Sequence, residues 1–352
     1  MRIALLTYSS KPRGGVVHTL ALAEALTALG QDVTVWTLGR GGDTGFFRPV
    51  SVPVVVVPFS DEPESVGERV LRSISALRAA FRPDDYDIVH AQDCISANAV
   101  SRCIRTVHHI DHFTTPELAA CHERALTRPY AHICVSAAVA AELTAGWGIS
   151  ATVIPNGVDA GRFAAAAPGS RFGRYLLSVG GIEPRKGSLD LLEAYALALR
   201  TAPDLRLVIA GGETLFDYRD YRASWDARAL SLSVAPVVLG PVPHDELPSL
   251  VAGASVFGFP SVKEGFGLAA MEALAAGVPV VARDLPVFRE VFADAVRYAA
   301  DPPGFAGALL DALASPDLLR APGQKLAASY TWEAAARAHL RLYSAQLSPA
   351  AN

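Results

Sequence analysis

The chain has few of the features that mark membrane-spanning, secreted or nucleic-acid-binding proteins. No apolar run among its 352 residues approaches the roughly 20 residues of a membrane-spanning helix, and the run from Val52 to Phe59 is far shorter and holds two prolines. Its four cysteines show no Cys-x-x-Cys spacing, so we expect reduced thiols. The N-terminus lacks the long apolar core of a signal peptide, so we expect a cytoplasmic protein.

Charge and nucleotide-binding fingerprints exclude further classes. The 31 Lys and Arg residues against 35 Asp and Glu give a net charge of −4, which is unlike a nucleic-acid-binding protein. Gly14-Gly15 follows the first apolar run, yet neither Gly-x-Gly-x-x-Gly nor a Gly-x-x-x-x-Gly-Lys-Ser/Thr phosphate loop occurs there. The first absence argues against a nicotinamide-dependent dehydrogenase, and we expect no tightly bound cofactor.

Short apolar runs alternate with helical patterns along the whole chain. Ile3 to Tyr8, Val17 to Leu29 and Asp32 to Leu38 form a first strand-helix-strand unit, and similar units follow it. Residues 160–173 are rich in alanine, glycine and proline and resemble a linker, after which the pattern restarts at Tyr175. Near-continuous apolar strands of this kind are typical of parallel sheets that helices cover on both faces.

Two domains of similar size follow from this pattern. The predicted fold class is α/β, with two Rossmann-like doubly wound parallel-sheet domains over residues 1–165 and 166–330. Ligands of such sheets bind at the carboxyl ends of the strands, which predicts a site between the domains. The segment Trp332 to Leu347 predicts an amphipathic helix. The residues spaced about one turn apart in it are Ala335, His339, Leu342 and Gln346.

The segment from Pro260 to Gly277 carries the strongest chemical signal. A strand ends at Phe259, a glycine-rich turn follows, and a helix begins near Gly267. Free N–H groups at a helix start attract anions, and glycines let a phosphate approach closely. Glu264 and Glu272 would both repel a phosphate, so we place them at the two ends of a nucleotide sugar, on the sugar and on the ribose. A solvated loop acid and a surface helix acid are the alternative.

A second strand-turn-helix segment holds the basic pair Arg185 and Lys186. The pair follows the strand that ends at Val179 and precedes another helical pattern. Arginine offers a planar bidentate fork and lysine a point charge, so both can reach a diphosphate from this turn. A solvated basic turn is the alternative interpretation.

Several potential metal ligands follow the apolar run Ile104 to Val107. They are His108, His109, Asp111 and His112. Because no further ligand stands at zinc spacing, we expect no metal site here. A histidine at a strand end can instead form a hydrogen bond with a sugar hydroxyl.

Taken together, these segments resemble the retaining glycosyltransferases of family 4, which have the GT-B fold. The most specific element is a Glu-x7-Glu pattern, here Glu264 and Glu272, with Glu-Gly-Phe-Gly-Leu at its start. The resemblance covers nearly the whole chain and implies two domains that face each other across a cleft. The other matching segments are Gly14-Gly15-Val16, Asp87-Ile88-Val89-His90, Thr106-Val107-His108, Ile154 to Asp159 with Phe163, Glu183 to Lys186, and Trp332 with Tyr343.

The resemblance also implies a role for each site residue. Glu264 would contact hydroxyls of the transferred sugar, which His108 would face, and Glu272 would contact the ribose. Arg185 and Lys186 would bind the diphosphate, with Arg185 expected to replace an arginine that many relatives carry at the position of Gly181. The remaining donor-binding positions are Gly15, Gly181, Gly265, Phe266, Gly267 and Leu268, with Val242 near the base. The acceptor-side positions are His109 and His112.

The implied reaction transfers a hexosyl group from a UDP- or GDP-linked sugar to a small-molecule, glycan or lipid acceptor. Arg185, Lys186 and a helix dipole would hold the leaving diphosphate, so no metal ion is needed. The acceptor would attack on the face that the diphosphate leaves, and the phosphate would take the acceptor proton. The C-terminal helix, at about residues 331–352, would cross back to the N-terminal domain.

Membrane contact and two other functions stay open at this stage. An apolar stripe flanked by arginines leaves room for peripheral contact with the inner membrane face, although a helix that covers the core is the favoured interpretation. The stripe consists of Val70, Leu71, Ile74, Leu77 and Phe81. A nucleotide-sugar epimerase of the same fold and a non-catalytic two-lobed small-ligand-binding protein are the alternative functions. The paired acids and the basic turn favour transfer over both.

Overall fold

The chain folds as two units. In a computed structural model, the described residues are 1–111, 113, 115–211 and 218–347. The first unit contains Met1–Gly157 and the chain from Thr331 onward, and the second unit is Val158–Tyr330. The chain therefore leaves the first unit once and returns to it.

A parallel sheet, with seven strands among the described residues, forms the centre of the first unit. Its order is β3-β2-β1-β4-β5-β6-β7, so the strand order reverses beside β1, where the carboxyl ends of neighbouring strands open a crevice. Most strands are largely buried apolar segments, as the sequence predicts, whereas both residues of β7 are exposed. The strands are β1 (Arg2–Leu6), β2 (Asp32–Arg40), β3 (Val54–Phe59), β4 (Ile88–Ala91), β5 (Ile104–Val107), β6 (Ala131–Cys134) and β7 (Thr152–Val153).

The second unit contains another parallel sheet, with six strands among the described residues. Its order is β10-β9-β8-β11-β12-β13, and the reversal lies between β8 and β11. The strands are β8 (Tyr175–Val179), β9 (Arg206–Ala210), β10 (Val237–Gly240), β11 (Val256–Phe259), β12 (Val280–Arg283) and β13 (Arg297–Ala299). Both predicted doubly wound parallel sheets are therefore present.

Helices connect the strands, and several begin at the capping residues that the sequence offers. Ser65 and Glu68 form a reciprocal capping box at the start of α2, and Asp301 caps α12 just before a proline. The helices of the first unit are α1 (Gly14–Ala28), α2 (Val66–Ala80), α3 (Cys94–Ala99), α4 (Pro116–Thr127) and α5 (Ala137–Trp147). Those that follow are α6 (Ala160–Ala164), α7 (Ser188–Ala198), α8 (Arg219–Ser231), α9 (Leu247–Ala252), α10 (Leu268–Ala275), α11 (Pro286–Phe292), α12 (Pro302–Ala314), α13 (Asp317–Ser329) and α14 (Trp332–Leu347).

Helix α14 packs on the first unit, in contact with α1. Ala335, Ala336, His339 and Tyr343 are its buried residues, and Tyr343 is fully inaccessible to solvent. Gln346, which the spacing placed on the same stripe, is exposed. The buried residues Ala335, His339 and Tyr343 are spaced four apart, whereas the predicted stripe alternated intervals of three and four. The two spacings diverge along the helix, so the predicted stripe leaves the buried face at its end.

The division between the units lies at Gly157, eight residues before the boundary at residue 165 that composition indicated. The alanine-rich segment that the composition predicts to be a linker contains α6, and Phe163 within it is 1% exposed in the second unit. The buried Phe163 anchors this short helix, and the Arg162 amide donates a hydrogen bond to the Asp159 side chain at its start. Most of the alanine run, from Ala165 to Ala167, lies beyond the end of α6.

The apolar stripe on α2 faces the core of the first unit. Val70, Ile74, Leu77 and Phe81 are buried in that core, whereas Leu71 is 45% exposed. Among the described residues, none of the helices combines the length and the apolar composition that a membrane span requires.

Candidate functional site

The turn after β8 and the turn after β11 meet in the second unit and join the predicted charged residues. Glu264 Oε1 accepts a hydrogen bond from Lys186 Nζ at 2.5 Å and another from Arg185 Nη1 at 3.1 Å. The Glu264 side chain is 13% exposed. Two cations therefore converge on one largely buried carboxylate at the carboxyl edge of the sheet.

A second carboxylate, which the sequence reasoning did not single out as a site residue, supports this cluster. Glu183 is 4% exposed, and its Oε1 accepts a hydrogen bond from Arg185 Nη2 at 3.2 Å. Arg185 Nη1 also donates to the Lys263 carbonyl at 3.1 Å, and the Val262 amide donates to the Arg185 carbonyl at 2.9 Å. The guanidinium is thus held in one orientation from both turns.

Arg283 stabilises the turn after β11 through three polar contacts. Its Nε donates to the Pro260 carbonyl at 2.8 Å, its Nη1 donates to the Ala300 carbonyl at 2.8 Å, and its Nη2 pairs with Asp190 on α7. The turn that carries Glu264 therefore begins at a carbonyl that a largely buried arginine side chain holds in place. No local sequence signal marks this contact, because Asp190 precedes Arg283 by 93 residues.

A small cavity adjoins the cluster at the ends of β8 and β11. Gly180, Gly181, Lys186, Phe259 and Ser261 are among the residues that line it. Ser261 Oγ is buried and has no hydrogen-bond partner among the residues that the structure describes. A buried hydroxyl without a partner is costly unless a ligand or water satisfies it, so this cavity is suited to a polar ligand group.

Helix α10 starts directly behind this turn. Gly267 precedes it with a φ of 96°, and a Cβ at this position would lie 2.7 Å from Phe292 Cζ. Gly267 is the N-cap residue of α10 and has no side chain that could cap its first turn. Phe266 is 2% exposed and packs edge-on against Tyr330, at 5.3 Å between ring centroids. The amides from Phe266 to Leu268 are consequently held at a helix start that attracts anions.

Glu272 is half-buried near the start of α10. Burial raises the pKa of this carboxyl to about 7, while the nearby Arg162 lowers it and Asp159 raises it. Near pH 7 the group is therefore divided between its neutral and ionised forms. Strongly shifted carboxyls of this kind are concentrated at functional sites.

Arg162 is a further residue that the sequence reasoning missed. It lies on α6, which packs against α9 and α10, and its Nη2 donates to the His244 carbonyl. His244 belongs to the loop between β10 and α9 that also contains the half-buried Val242. Arg162 thus connects the loop predicted for the base with the helix that carries Glu272.

In the first unit, His108 lies beside the start of α1. A Cβ built on Gly15 would be 3.5 Å from His108 Cδ2, so the ring packs directly on this glycine. His108 Nε2 is 3.2 Å from Gln92 Oε1, and the ring meets His18 edge-on at 4.8 Å between centroids. Burial lowers the pKa of His108 well below its ordinary value, and Arg105 and neighbouring histidines lower it further, so the ring is neutral near pH 7.

A cluster of buried histidines connects this region to the C-terminal helix. His90 Nδ1 is 2.7 Å from the Tyr343 hydroxyl, and His90 Nε2 is 2.7 Å from Thr106 Oγ1. His339 Nδ1 is 2.8 Å from the Ala335 carbonyl, and its ring lies 5.7 Å from the His90 ring. Burial lowers the pKa of His339 to about 4, so this cluster is uncharged at neutral pH. The resemblance marked His90 and Tyr343 but did not indicate that they form a hydrogen bond.

Of the two predicted acceptor-side residues, His109 lies within the described residues. His109 Nε2 is 3.2 Å from Asp111 Oδ2, and both side chains are about one-third exposed. His112 lies outside the described residues. Within the described ranges, no group of three or more His, Cys, Asp and Glu residues is arranged to hold a metal ion.

Comparisons with known proteins agree over nearly the whole chain. The family model described as "Glycosyltransferase Family 4" matches residues 12–162, and the one described as "Glycosyl transferases group 1" matches residues 171–327. A phosphatidyl-myo-inositol mannosyltransferase from Mycolicibacterium smegmatis is 31% identical, and the match covers 97% of this chain and 93% of that protein.

Two solved structures share the fold. Sucrose-phosphate synthase from Thermosynechococcus elongatus superposes with a TM-score of 0.79 at 19% identity, covering 98% of each chain. Anabaena HepE, in a complex with UDP and glucose, superposes with a TM-score of 0.76 at 18% identity, covering 98% of this chain and 99% of that chain. At these identities the similarity concerns the fold.

Proposed function

Since the chain belongs to glycosyltransferase family 4, we propose that this glycosyltransferase moves a hexosyl group from a nucleotide-diphosphate sugar to an acceptor hydroxyl. The observation that carries the proposal is the convergence of Arg185 and Lys186 on Glu264 in the second unit. An isolated structural ion pair needs one cation, whereas a diphosphate with a developing charge needs several donors around it.

The donor is proposed to occupy the carboxyl edge of the second unit's sheet. Arg185 and Lys186 would turn from Glu264 to the diphosphate, and Glu264 would then accept hydrogen bonds from hydroxyls of the transferred sugar. The amides of Phe266, Gly267 and Leu268, at the uncapped start of α10, would bind phosphate oxygens. Gly181, Gly265 and the orphan hydroxyl of Ser261 lie along the same turns and complete the polar surface.

The nucleoside is proposed to lie between α10 and the loop after β10. Glu272, in its ionised form, would accept hydrogen bonds from the ribose hydroxyls, and the backbone around Val242 would contact the base. The base itself is proposed to be uracil or guanine. The solved complex of HepE with UDP supports uracil, and transfer of mannose or glucose fits the names of the relatives.

For the first unit, we propose that His108 and Gly15 keep the roles that the family resemblance implies, on the transferred sugar and on the diphosphate. The neutral His108 ring would form a hydrogen bond with a sugar hydroxyl. Because the ring is uncharged, it would not attract the negatively charged phosphates. The acceptor is proposed to be a small molecule, a glycan or a lipid, with His109 on its side of the reaction.

The proposed chemistry retains the anomeric configuration and uses no metal ion. The bond from the anomeric carbon to the β-phosphate oxygen breaks, the acceptor oxygen bonds to the same face of that carbon, and the acceptor proton passes to the leaving phosphate. Lys186 and Arg185 would stabilise the negative charge where it forms. Loss of one such donor typically lowers kcat by about 10²-fold or more.

The proposal is tested by thermal unfolding with UDP, GDP, ADP and their hexose conjugates. A nucleotide that binds only the folded protein raises the Tm, by the equivalent of about 2.7 kcal/mol at a hundredfold excess over its Kd. We expect a shift with one base, lost in Glu272→Ala and retained in Glu193→Gln, an exposed acid on α7. The absence of any shift at millimolar concentrations would contradict the proposal. NMR of the product and turnover in EDTA test retention and metal independence.

A further inference from the structure

Two arginines contact the same tyrosine at the carboxyl edge of the first unit's sheet. Tyr8 and Arg13 lie in the segment after β1, and Arg40 ends β2. Arg13 Nη1 donates a hydrogen bond to the Tyr8 hydroxyl. The Arg13 and Arg40 guanidinium carbons lie 5.6 Å and 5.8 Å from the centroid of the Tyr8 ring. We call these three residues the Tyr8 cluster.

The positive charge of this cluster is poorly neutralised. Arg40 is half-buried and packs on Phe59 at 5.9 Å from the ring centroid, and its side chain has no hydrogen bond or ion pair among the described residues. Burial lowers the pKa of Arg40. The nearby Tyr8 and Asp61 raise this pKa, whereas the positive charges of Arg69 and Arg13 lower it further. Two cations near each other at half-buried positions repel more strongly than they would in bulk water.

Other acids near the cluster have partners of their own. Asp43 pairs with Lys11 at 2.9 Å and accepts a hydrogen bond from Ser10, and Asp93 accepts the Tyr8 amide at 2.8 Å while it caps α3. Glu64 forms ion pairs with Arg69 and Arg72. Asp61, which lies beside Gly41, is the remaining acid that acts on Arg40. Asp61 therefore acts on Arg40 against the opposing charges of Arg13 and Arg69, and it forms no ion pair with Arg40 among the described residues.

The hydrogen-bonding capacity of the cluster fits a phosphate. The Tyr8 hydroxyl oxygen accepts a hydrogen bond from Arg13. Within the described residues, the Tyr8 O–H donates a hydrogen bond to no acceptor. The Tyr8 O–H, the Arg40 guanidinium and the remaining N–H groups of the Arg13 guanidinium have no acceptor among the described residues, which suits an anion with several oxygens. Arginine is the side chain best matched to the geometry of phosphate oxygens.

The position of the cluster connects it with the proposed reaction. β1 lies between β2 and β4 in the sheet, so the residues after β1 and β2 share an edge with Gln92 after β4 and His108 after β5. We propose that Tyr8, Arg13 and Arg40 bind a phosphate group of the acceptor, so that the acceptor is a phosphate ester that also carries the reacting hydroxyl. This inference rests on the proposed glycosyl transfer and gives the chemical class of its second substrate.

The phosphate ester has two sources, a soluble sugar phosphate or a lipid headgroup, and two probes separate them. The full-length protein, saturated with the nucleotide that raises its Tm, is titrated with glycerol 3-phosphate, and is sedimented with phosphatidylcholine vesicles with and without phosphatidylinositol. We expect Arg40→Met to weaken binding of the responding probe by about tenfold or more, since a charge-assisted hydrogen bond is lost. Tyr8→Phe should weaken it by less, and Arg40→Lys should restore part of the affinity.

Arg2→Met is the matched control, because Arg2 pairs with Asp87 at the opposite end of β1 and its removal changes the net charge equally. Binding of glycerol 3-phosphate that depends on Arg40 assigns a soluble ester, and binding only to phosphatidylinositol vesicles that depends on Arg40 assigns a lipid. Equal binding by Arg40→Met and wild type, or no binding of either probe to wild type, overturns the inference. The nucleotide-induced Tm shift, measured in every variant, shows that it is folded and reports separately on the proposed donor site.

Discussion

Replacing Glu272 by glutamine should make the second unit more stable at alkaline pH while weakening nucleotide binding. The carboxyl has an ordinary pKa of 4.5 and a folded-state pKa of about 7, because burial disfavours its ionised form. A group whose pKa is raised on folding stabilises the fold fully below pH 4.5 and loses that contribution as the pH rises through 7. Glutamine has nearly the same shape and never ionises.

The magnitude follows from the two pKa values. Full ionisation of a carboxyl with these values costs up to about 3 kcal/mol, and about 2 kcal/mol of this develops between pH 5.5 and pH 8.5. The advantage of Glu272→Gln over wild type should therefore grow by about 2 kcal/mol across this range. For a unit of this size, that corresponds to a change of about 4 to 8 °C in Tm.

Differential scanning calorimetry of the full chain at both pH values measures this directly. Glu193→Gln is the control, since this acid pairs with Arg228 at the surface, and we expect its effect to be small at either pH. The nucleotide that raises the wild-type Tm should lose affinity below pH 7 in the wild type and should bind Glu272→Gln weakly throughout. A variant whose Tm difference from wild type is the same at pH 5.5 and pH 8.5 would refute the reasoning.

Three other outcomes are expected. Lys186→Ala should lower kcat by about 10²-fold or more while the protein stays folded, as steady-state kinetics and circular dichroism would show, and near-normal turnover would contradict the role in charge stabilisation. Tyr343→Phe leaves His90 Nδ1 without its partner and should destabilise the first unit by about 1–3 kcal/mol in urea unfolding, whereas an unchanged midpoint would mean that water replaces the hydroxyl. Gly267→Ala should destabilise the second unit, because φ is 96° and its Cβ would clash, whereas Gly307→Ala inside α12, with open space around it, should stabilise that unit by about 0.5–1 kcal/mol.

The strands and the charged turns could be predicted because their signals are local. Buried parallel strands are nearly continuous apolar runs, so β1, β8 and β11 stand out from the sequence alone. Glu264, Arg185 and Lys186 follow such strands, and carboxyl ends of parallel strands share one edge of a sheet. Their proximity is a consequence of this shared edge, although the ion pairs of Glu264 with Arg185 and Lys186 were not predicted from the sequence.

What the sequence did not reveal depends on contacts between distant segments. Arg162 reaches a backbone carbonyl of His244, and no side-chain pattern reports an acceptor that every residue possesses. Glu183 lies next to a proline in a turn, where its burial follows from how closely the turns after β8 and β11 pack. The raised pKa of Glu272 is a property of its surroundings and not of its place in a motif.

The return of α14 to the first unit sets an order for folding during synthesis. The second unit, Val158–Tyr330, is continuous in sequence and can fold as soon as it leaves the ribosome. The first unit lacks α14, with the buried Tyr343, until the chain has been made to Leu347, which is 190 residues after Gly157. At roughly 5–20 residues per second this is a delay of about 10–40 s, during which the apolar face of α1 has no permanent cover. The unit that is made first is thus the last to be completed, and nascent chains should depend on chaperones chiefly for that half.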